Sequence, residues 1–203
     1  SVHSSSAAAM DAAPATLSGA THPLRDHVRL ACLPGIGSRT RRALLAHFGS
    51  AAAVLAATPA ELAGMPGVGR RAARLLPGPD DAAAADQLLG LCRERQVRIL
   101  LEGDDGYPPL VGQIPDPPGL LFVRGAIEPC DSLAIAIVGS RHATAYGRKV
   151  AWQLAGGLAR SGYTIVSGLA RGIDAAAHQG ALEAAVQHQR CPTLAVVGTG
   201  LDR

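Results

Sequence analysis

Apolar residues recur at helical spacing from Asp26 to Arg95, broken repeatedly by glycine and proline. This predicts short helices, among them Asp26 to Cys32, Pro59 to Gly64 and Asp81 to Arg95, the last with Leu88, Leu89, Leu91 and Cys92 on its inner side. Beyond residue 96 the pattern changes to short consecutive apolar runs. Val97 to Leu101, Leu120 to Val123, Ala134 to Val138, Tyr163 to Val166 and Thr193 to Val197 read as strands, and Tyr146 to Arg160 and Ile173 to Val186 as helices. The Pro-rich crossing 103–119 reads as ordered turn. An unbroken run such as Ala134 to Val138 suits a parallel strand covered on both faces. The fold class is therefore α/β: a Rossmann-like parallel sheet in residues 98–203, preceded by a small all-α domain in residues 25–97 and a flexible tail in residues 1–24.

The helical part contains an internal repeat. The stretch 33-LPGIGSRTRRALL-45 is echoed by 65-MPGVGRRAARLL-76, and each copy follows a short helical segment. Two helices joined by a Gly-apolar-Gly turn form a helix-hairpin-helix, whose turn amides can face a phosphate. Arg39, Arg41, Arg42, Arg70, Arg71 and Arg74 would then form a basic surface. A solvated helix face produces the same pattern, and the glycine turn is required by the fold whether or not DNA binds.

In the second part, the order strand-helix-strand-helix-strand brings all strand C-terminal ends to one edge, where open parallel sheets bind ligands. Three loops meet there: Gly139 to Thr144, Ser167 to Asp174 and Gly198 to Arg203. Each combines small residues with one arginine, respectively Arg141, Arg171 and Arg203. Separated cationic points along one edge suit a chain of phosphates better than one pyrophosphate.

Other chemistries fit less well. A dinucleotide fingerprint needs three spaced glycines after the first strand and an acidic residue ending the second, whereas this chain has Gly139 alone and Val166-Ser167-Gly168. Ser167 lacks a nucleophile elbow and reads as a turn residue. Asp174 and His178 lie four apart on one helix without a third ligand, and read as a helix-start residue and a local hydrogen-bonding partner. No catalytic residue, metal or cofactor is expected. Cys32, Cys92, Cys130 and Cys191 form no Cys-x-x-Cys pair and read as buried free thiols of a reducing, cytoplasmic compartment. No apolar run approaches the roughly 20 residues that cross a bilayer, so a soluble protein without a membrane partner is expected. The net charge is only +3, and 18 of the 19 basic residues are arginine, so position rather than count must identify a site.

The succession IVGSRHATAYG, VSGLARGIDAAAHQGAL and TLAVVGTGLDR, with DDGYPPLVGQIPDPPGLLFVRG upstream, closely resembles the DprA/Smf family of DNA-processing proteins. The resemblance runs from about Leu24 onward and includes the Gly-Ile-Gly unit, which is similar to that family's SAM-like domain. It implies a DNA-binding protein rather than an enzyme. Such proteins bind and shield incoming single-stranded DNA during natural transformation and help load the RecA recombinase, acting as homodimers. Gly139, Ser140 and Arg141 match the family's GSR motif, whose arginine contacts phosphate. Arg203 falls at a further DNA contact after GTGLD, and Arg171 lies in GLARGID at the pocket edge. The family pattern continues beyond the point at which this chain stops, so a part of a longer protein is expected, with the dimer and RecA surfaces largely in the remainder. Two other readings compete: a helix-hairpin-helix binder of duplex DNA, and a nucleotide phosphoribohydrolase-like enzyme. The enzyme would need a Gly-Gly-x-Gly-Thr loop that this chain lacks.

Overall fold

The computed structural model describes residues 23–65, 68, 77–185 and 192–201. Most of the expected tail, the second hairpin's closing helix with Arg70, Arg71 and Arg74, Cys191 and Arg203 lie outside the described residues. The first unit opens with α1 (Pro23–Cys32), α2 (Ser38–Phe48), α3 (Ala51–Ala56) and α4 (Pro59–Ala63). Two of these helices have side-chain caps. Ser50 Oγ accepts from the Ala53 amide, and Thr58 and Glu61 form a reciprocal capping box. The apolar faces close over Leu30, Leu33, Leu44, Val54 and Leu62, and burying each leucine contributes roughly 1.5–3 kcal/mol. Val68, the apolar residue of the second Gly-apolar-Gly turn, reaches the same core, and its counterpart Ile36 packs against it.

Helix α5 (Pro79–Glu94) lies against α1 and is tied to it by the Arg25–Asp86 ion pair at 2.7 Å. Its inner stripe is Ala85, Leu88, Leu89 and Cys92, at intervals of three and four. Leu91 falls off this stripe and is exposed, contrary to the sequence reading.

Strands β1 (Val97–Leu101) and β2 (Leu120–Arg124) form an antiparallel pair that sets Val97 opposite Arg124 and Leu101 opposite Leu120. The crossing between them contains one helical turn, α6 (Pro109–Gly112), where ordered turn without helix was expected. The buried Tyr107 hydroxyl closes this crossing by donating to the Pro118 carbonyl at 2.6 Å.

A short 3-10 turn, Pro129–Ser132, leads into the parallel sheet, and its Asp131 accepts from the Thr164 hydroxyl at 2.7 Å. The sheet contains β3 (Ala134–Ala136), β4 (Thr164–Ser167) and β5 (Thr193–Ala195) in that order, connected by α7 (Ala145–Arg160) and α8 (Ile173–Ala185). The two helices pack on each other through Ala151, Ala155 and Ala159 on one side and Ala177, Ala181 and Ala184 on the other. They pass so close that a Cβ at Gly180 would fall on the Trp152 carbonyl, which restricts that position to glycine. Leu154 of α7 is exposed, although it falls at helical spacing with Val150 and Leu158.

Because neighbouring strands follow in chain order and the two helices touch, both helices cover the same sheet face. The expected covering of both faces is not what the described residues show. Ala134, Ala136 and Ala195 are exposed, as are Val138 and Val196 at the strand ends. Ile165 and Ile137 face the helices, so the run through β3 is apolar for two reasons: every second residue is packed, and the intervening ones in the strand are alanines.

Candidate functional site

Three loops leave the C-terminal ends of β3, β4 and β5, and the first two are fastened together. Asp174, buried in the first turn of α8, accepts from the Gly139 amide through Oδ1 and from the Gly168 amide through Oδ2, both at 3.2 Å. The Ile173 amide donates to the Ser140 carbonyl at 3.2 Å. Gly172, at φ 90°, lies against the carbonyls of Ser140 and Arg141, where no side chain could fit. Below this junction the Ser167 hydroxyl donates to the Ile137 carbonyl at 2.6 Å, linking β4 to the end of β3.

These contacts divide the residues expected at the site into two kinds. Gly139 and Ser140 are exposed but have partners within the loops: the Gly139 amide donates to Asp174, its Cα faces Ile173, and the Ser140 hydroxyl accepts from the His142 amide at 3.1 Å. Arg141 and Arg171 are brought together on one open cleft of about 550 Å3. Arg203 lies outside the described residues. The cleft has a third arginine that sequence reasoning did not single out, Arg124 at the end of β2, together with Leu169, Thr199 and Leu201. A lone arginine ending a strand gives no local sign that the strand's register aims it at another sheet's edge.

Electrostatics separates this cleft from the helical unit. Among the described residues, Arg124, Arg141 and Arg171 belong to no ion pair, and no carboxylate lines the cleft. Two of the three arginines of α2 are committed elsewhere. Arg42 pairs with Glu102 at 3.2 Å, Arg39 reaches Asp116 at 3.8 Å, and Arg41 is only 5% exposed. Arg41 sits with its guanidinium against Gly119 and 2.9 Å from His27 Nδ1. Burial holds its pKa below the ordinary value, while the nearby Glu102 opposes that shift. Arg41 and Arg42 of the basic face expected of α2 therefore turn to the crossing between β1 and β2, while Arg39 stays exposed.

Leu169 stands out in the cleft lining. It occupies the left-handed region at φ 57°, which costs a leucine about 1–2 kcal/mol, and its side chain is 61% exposed.

The pair considered for acid–base or metal chemistry has structural partners instead. The Thr193 hydroxyl donates to the Ile165 carbonyl at 2.8 Å, so His178, at 2.7 Å from the same oxygen, is its donor through Nδ1. His178 thus secures α8 to β5, and burial lowers its pKa. Among the described residues, no three His, Cys, Asp or Glu side chains could hold a metal ion. Cys92 is buried and Cys32 half-buried, and burial raises both thiol pKa values, whereas Cys130 is exposed and departs from the expected buried set. No helix among the described residues is long and apolar enough to cross a membrane.

Comparison with known proteins agrees with this fold. Residues 98–203 match the family described as DNA recombination-mediator protein A, and residues 29–76 match the SAM-like helix-hairpin-helix tandem. Protein Smf of Synechocystis is 33% identical over 172 residues, covering 83% of this chain and 42% of that protein. DNA processing protein DprA of Streptococcus pneumoniae is 42% identical over 99 residues, covering 49% of this chain and 33% of that protein. The X-ray structure of the pneumococcal DprA superposes with a TM-score of 0.62 at 28% identity, covering 88% of this chain and 59% of that one. The chain thus spans less than half the length of these two curated relatives.

Proposed function

The chain belongs to the DNA recombination-mediator protein A family, and from that premise we propose that it holds single-stranded DNA by its phosphates in the cleft of Arg124, Arg141 and Arg171. The observation that carries this reading is the convergence of three arginines, from three separate chain segments, on one cleft; among the described residues they belong to no ion pair and no carboxylate lines the cleft. A strand of nucleotides offers one negative charge per step, and arginines spread along an edge suit such a chain without reading sequence. In this reading Arg203 extends the path. Gly139 and Ser140 act by holding Arg141 in place, not by touching DNA. The division of labour follows: residues 98–203 hold the strand, and residues 25–97 support that unit through Arg41 and Arg42 of α2.

The wider role proposed with it is that of the family as the resemblance describes it: shielding a single strand in the cytoplasm, acting as a homodimer and helping RecA onto the strand. Binding without turnover is the proposed activity.

The test is fluorescence anisotropy with labelled oligothymidine at several salt concentrations, comparing the full chain with Arg141→Ala and Arg124→Ala. Losing one charge-assisted contact should weaken binding about tenfold and lower the salt slope by about 0.7. Folded variants with unchanged affinity and slope would remove the cleft from consideration. Tighter binding of duplex than of single strands would favour the helix-hairpin-helix reading instead.

A further inference from the structure

An arginine-lined cleft accounts for phosphates and leaves the bases unassigned. The described residues lining this cleft include no aromatic ring on which a base could stack. They include Leu169, Val197 and Leu201, and Leu169 is the most informative of these. It holds a left-handed backbone at φ 57°, although glycine would adopt that conformation without strain and the same loop uses one at Gly172, φ 90°. Its side chain is 61% exposed, so packing within the described chain does not explain the choice of leucine. Its neighbours are fixed: the Gly168 amide donates to Asp174 at 3.2 Å, and the Ala170 carbonyl accepts from the Ala175 amide at 3.0 Å. A rigid loop thus presents an apolar side chain, in a disfavoured conformation, beside Arg141 and Arg171.

We propose that Leu169 is a base-contacting residue: it lies against the face of a nucleobase whose flanking phosphates sit on the arginines. This rests on the reading of the cleft as a single-strand site and adds a second recognition element to it. Contact between an aliphatic side chain and a base face buries apolar area on any base and makes no edge hydrogen bonds. The preference it confers is for a base over no base, not for one base over another.

The experiment compares two labelled probes of equal length and charge, oligothymidine and an oligonucleotide carrying an abasic segment, against the full chain and its variants. The wild type should bind the base-containing probe about fivefold more tightly. In Leu169→Gly, which relaxes the backbone while removing the side chain, that ratio should fall towards one. Leu169→Met, which restores an apolar side chain, should recover most of it. Leu169→Asn, a second residue tolerated in the left-handed region, should behave as the glycine variant does and separates loss of the side chain from added loop freedom. A Leu169→Gly ratio equal to the wild-type ratio overturns the assignment while leaving the arginine cleft standing. A wild type that binds neither probe removes the cleft reading itself. In Arg141→Ala, both probes should weaken together, with the ratio retained.

Discussion

Replacing Asp174 by asparagine distinguishes a structural brace from a catalytic carboxylate. The side chain is 6% exposed and accepts one backbone amide on each oxygen, Gly139 and Gly168, both at 3.2 Å. Asparagine has the same shape but only one acceptor oxygen, so its NH2 group must face one of the two amides, donor against donor. A hydrogen bond to a charged group contributes about 1.5–3 kcal/mol, and at 3.2 Å the lower end applies. Loss of negative charge in the first turn of α8 adds roughly 0.5 kcal/mol. The amide left without a partner raises the total to about 3 kcal/mol. At about 2–4 °C per kcal/mol for a chain of this size, the melting temperature should fall by about 6–12 °C. Thermal denaturation followed by circular dichroism measures the loss, and hydrogen exchange at Gly139 and Gly168 locates it. DNA affinity should weaken because the loops bearing Arg141 and Arg171 are no longer held together. The salt slope should change little, since both arginines remain. A general acid or metal ligand would behave otherwise, because removing a buried functional charge commonly leaves stability unchanged or improved. A variant melting with the wild type would therefore refute the brace.

Two further outcomes follow from the packing. In Gly119→Ala the added methyl falls on the Arg41 guanidinium, which must leave its buried place on the crossing between β1 and β2 at a cost of about 1 kcal/mol, seen as a lower urea midpoint. Single-strand affinity should be retained, and a wild-type midpoint would show that the guanidinium yields freely. His178 and His27 both have pKa values lowered from 6.5, each chiefly by burial, and His27 additionally by Arg41. Since the unfolded chain takes up these protons first, the stability they contribute is present above pH 6.5 and is lost as pH falls below it. Urea midpoints should decline between pH 7 and pH 5.5, less steeply in His178→Gln, and a flat profile would contradict the burial.

The sequence conveyed local order well because periodicity and glycine punctuation are local signals. Val97 to Leu101 forms the expected strand, and α7 and α8 begin and end within about a residue of their apolar patterns. It conveyed less wherever the deciding contact was distant. An arginine on α2 reads the same whether it faces solvent, DNA or Glu102, and only the fold shows Arg41 and Arg42 turned inward. Leu91 and Leu154 fit a helical apolar pattern, yet the small residues around them define narrower stripes that exclude both. Arg124 was invisible as a site residue because its place depends on pairing with Val97 across a long crossing. Motif resemblance, for its part, marks residues without distinguishing their roles. In Gly139-Ser140-Arg141 the first two have hydrogen-bond partners within the loops and the third belongs to no ion pair among the described residues, and in the loop ending at Asp174 the aspartate secures the backbone that carries Arg171. A phosphate site needs fixed positions as much as positive charge, because a guanidinium on a mobile loop must lose conformational freedom before it can bind. In the proposed reading the small and acidic residues between the arginines serve binding through the backbone they hold, and substituting them should lower affinity without changing the number of ions released.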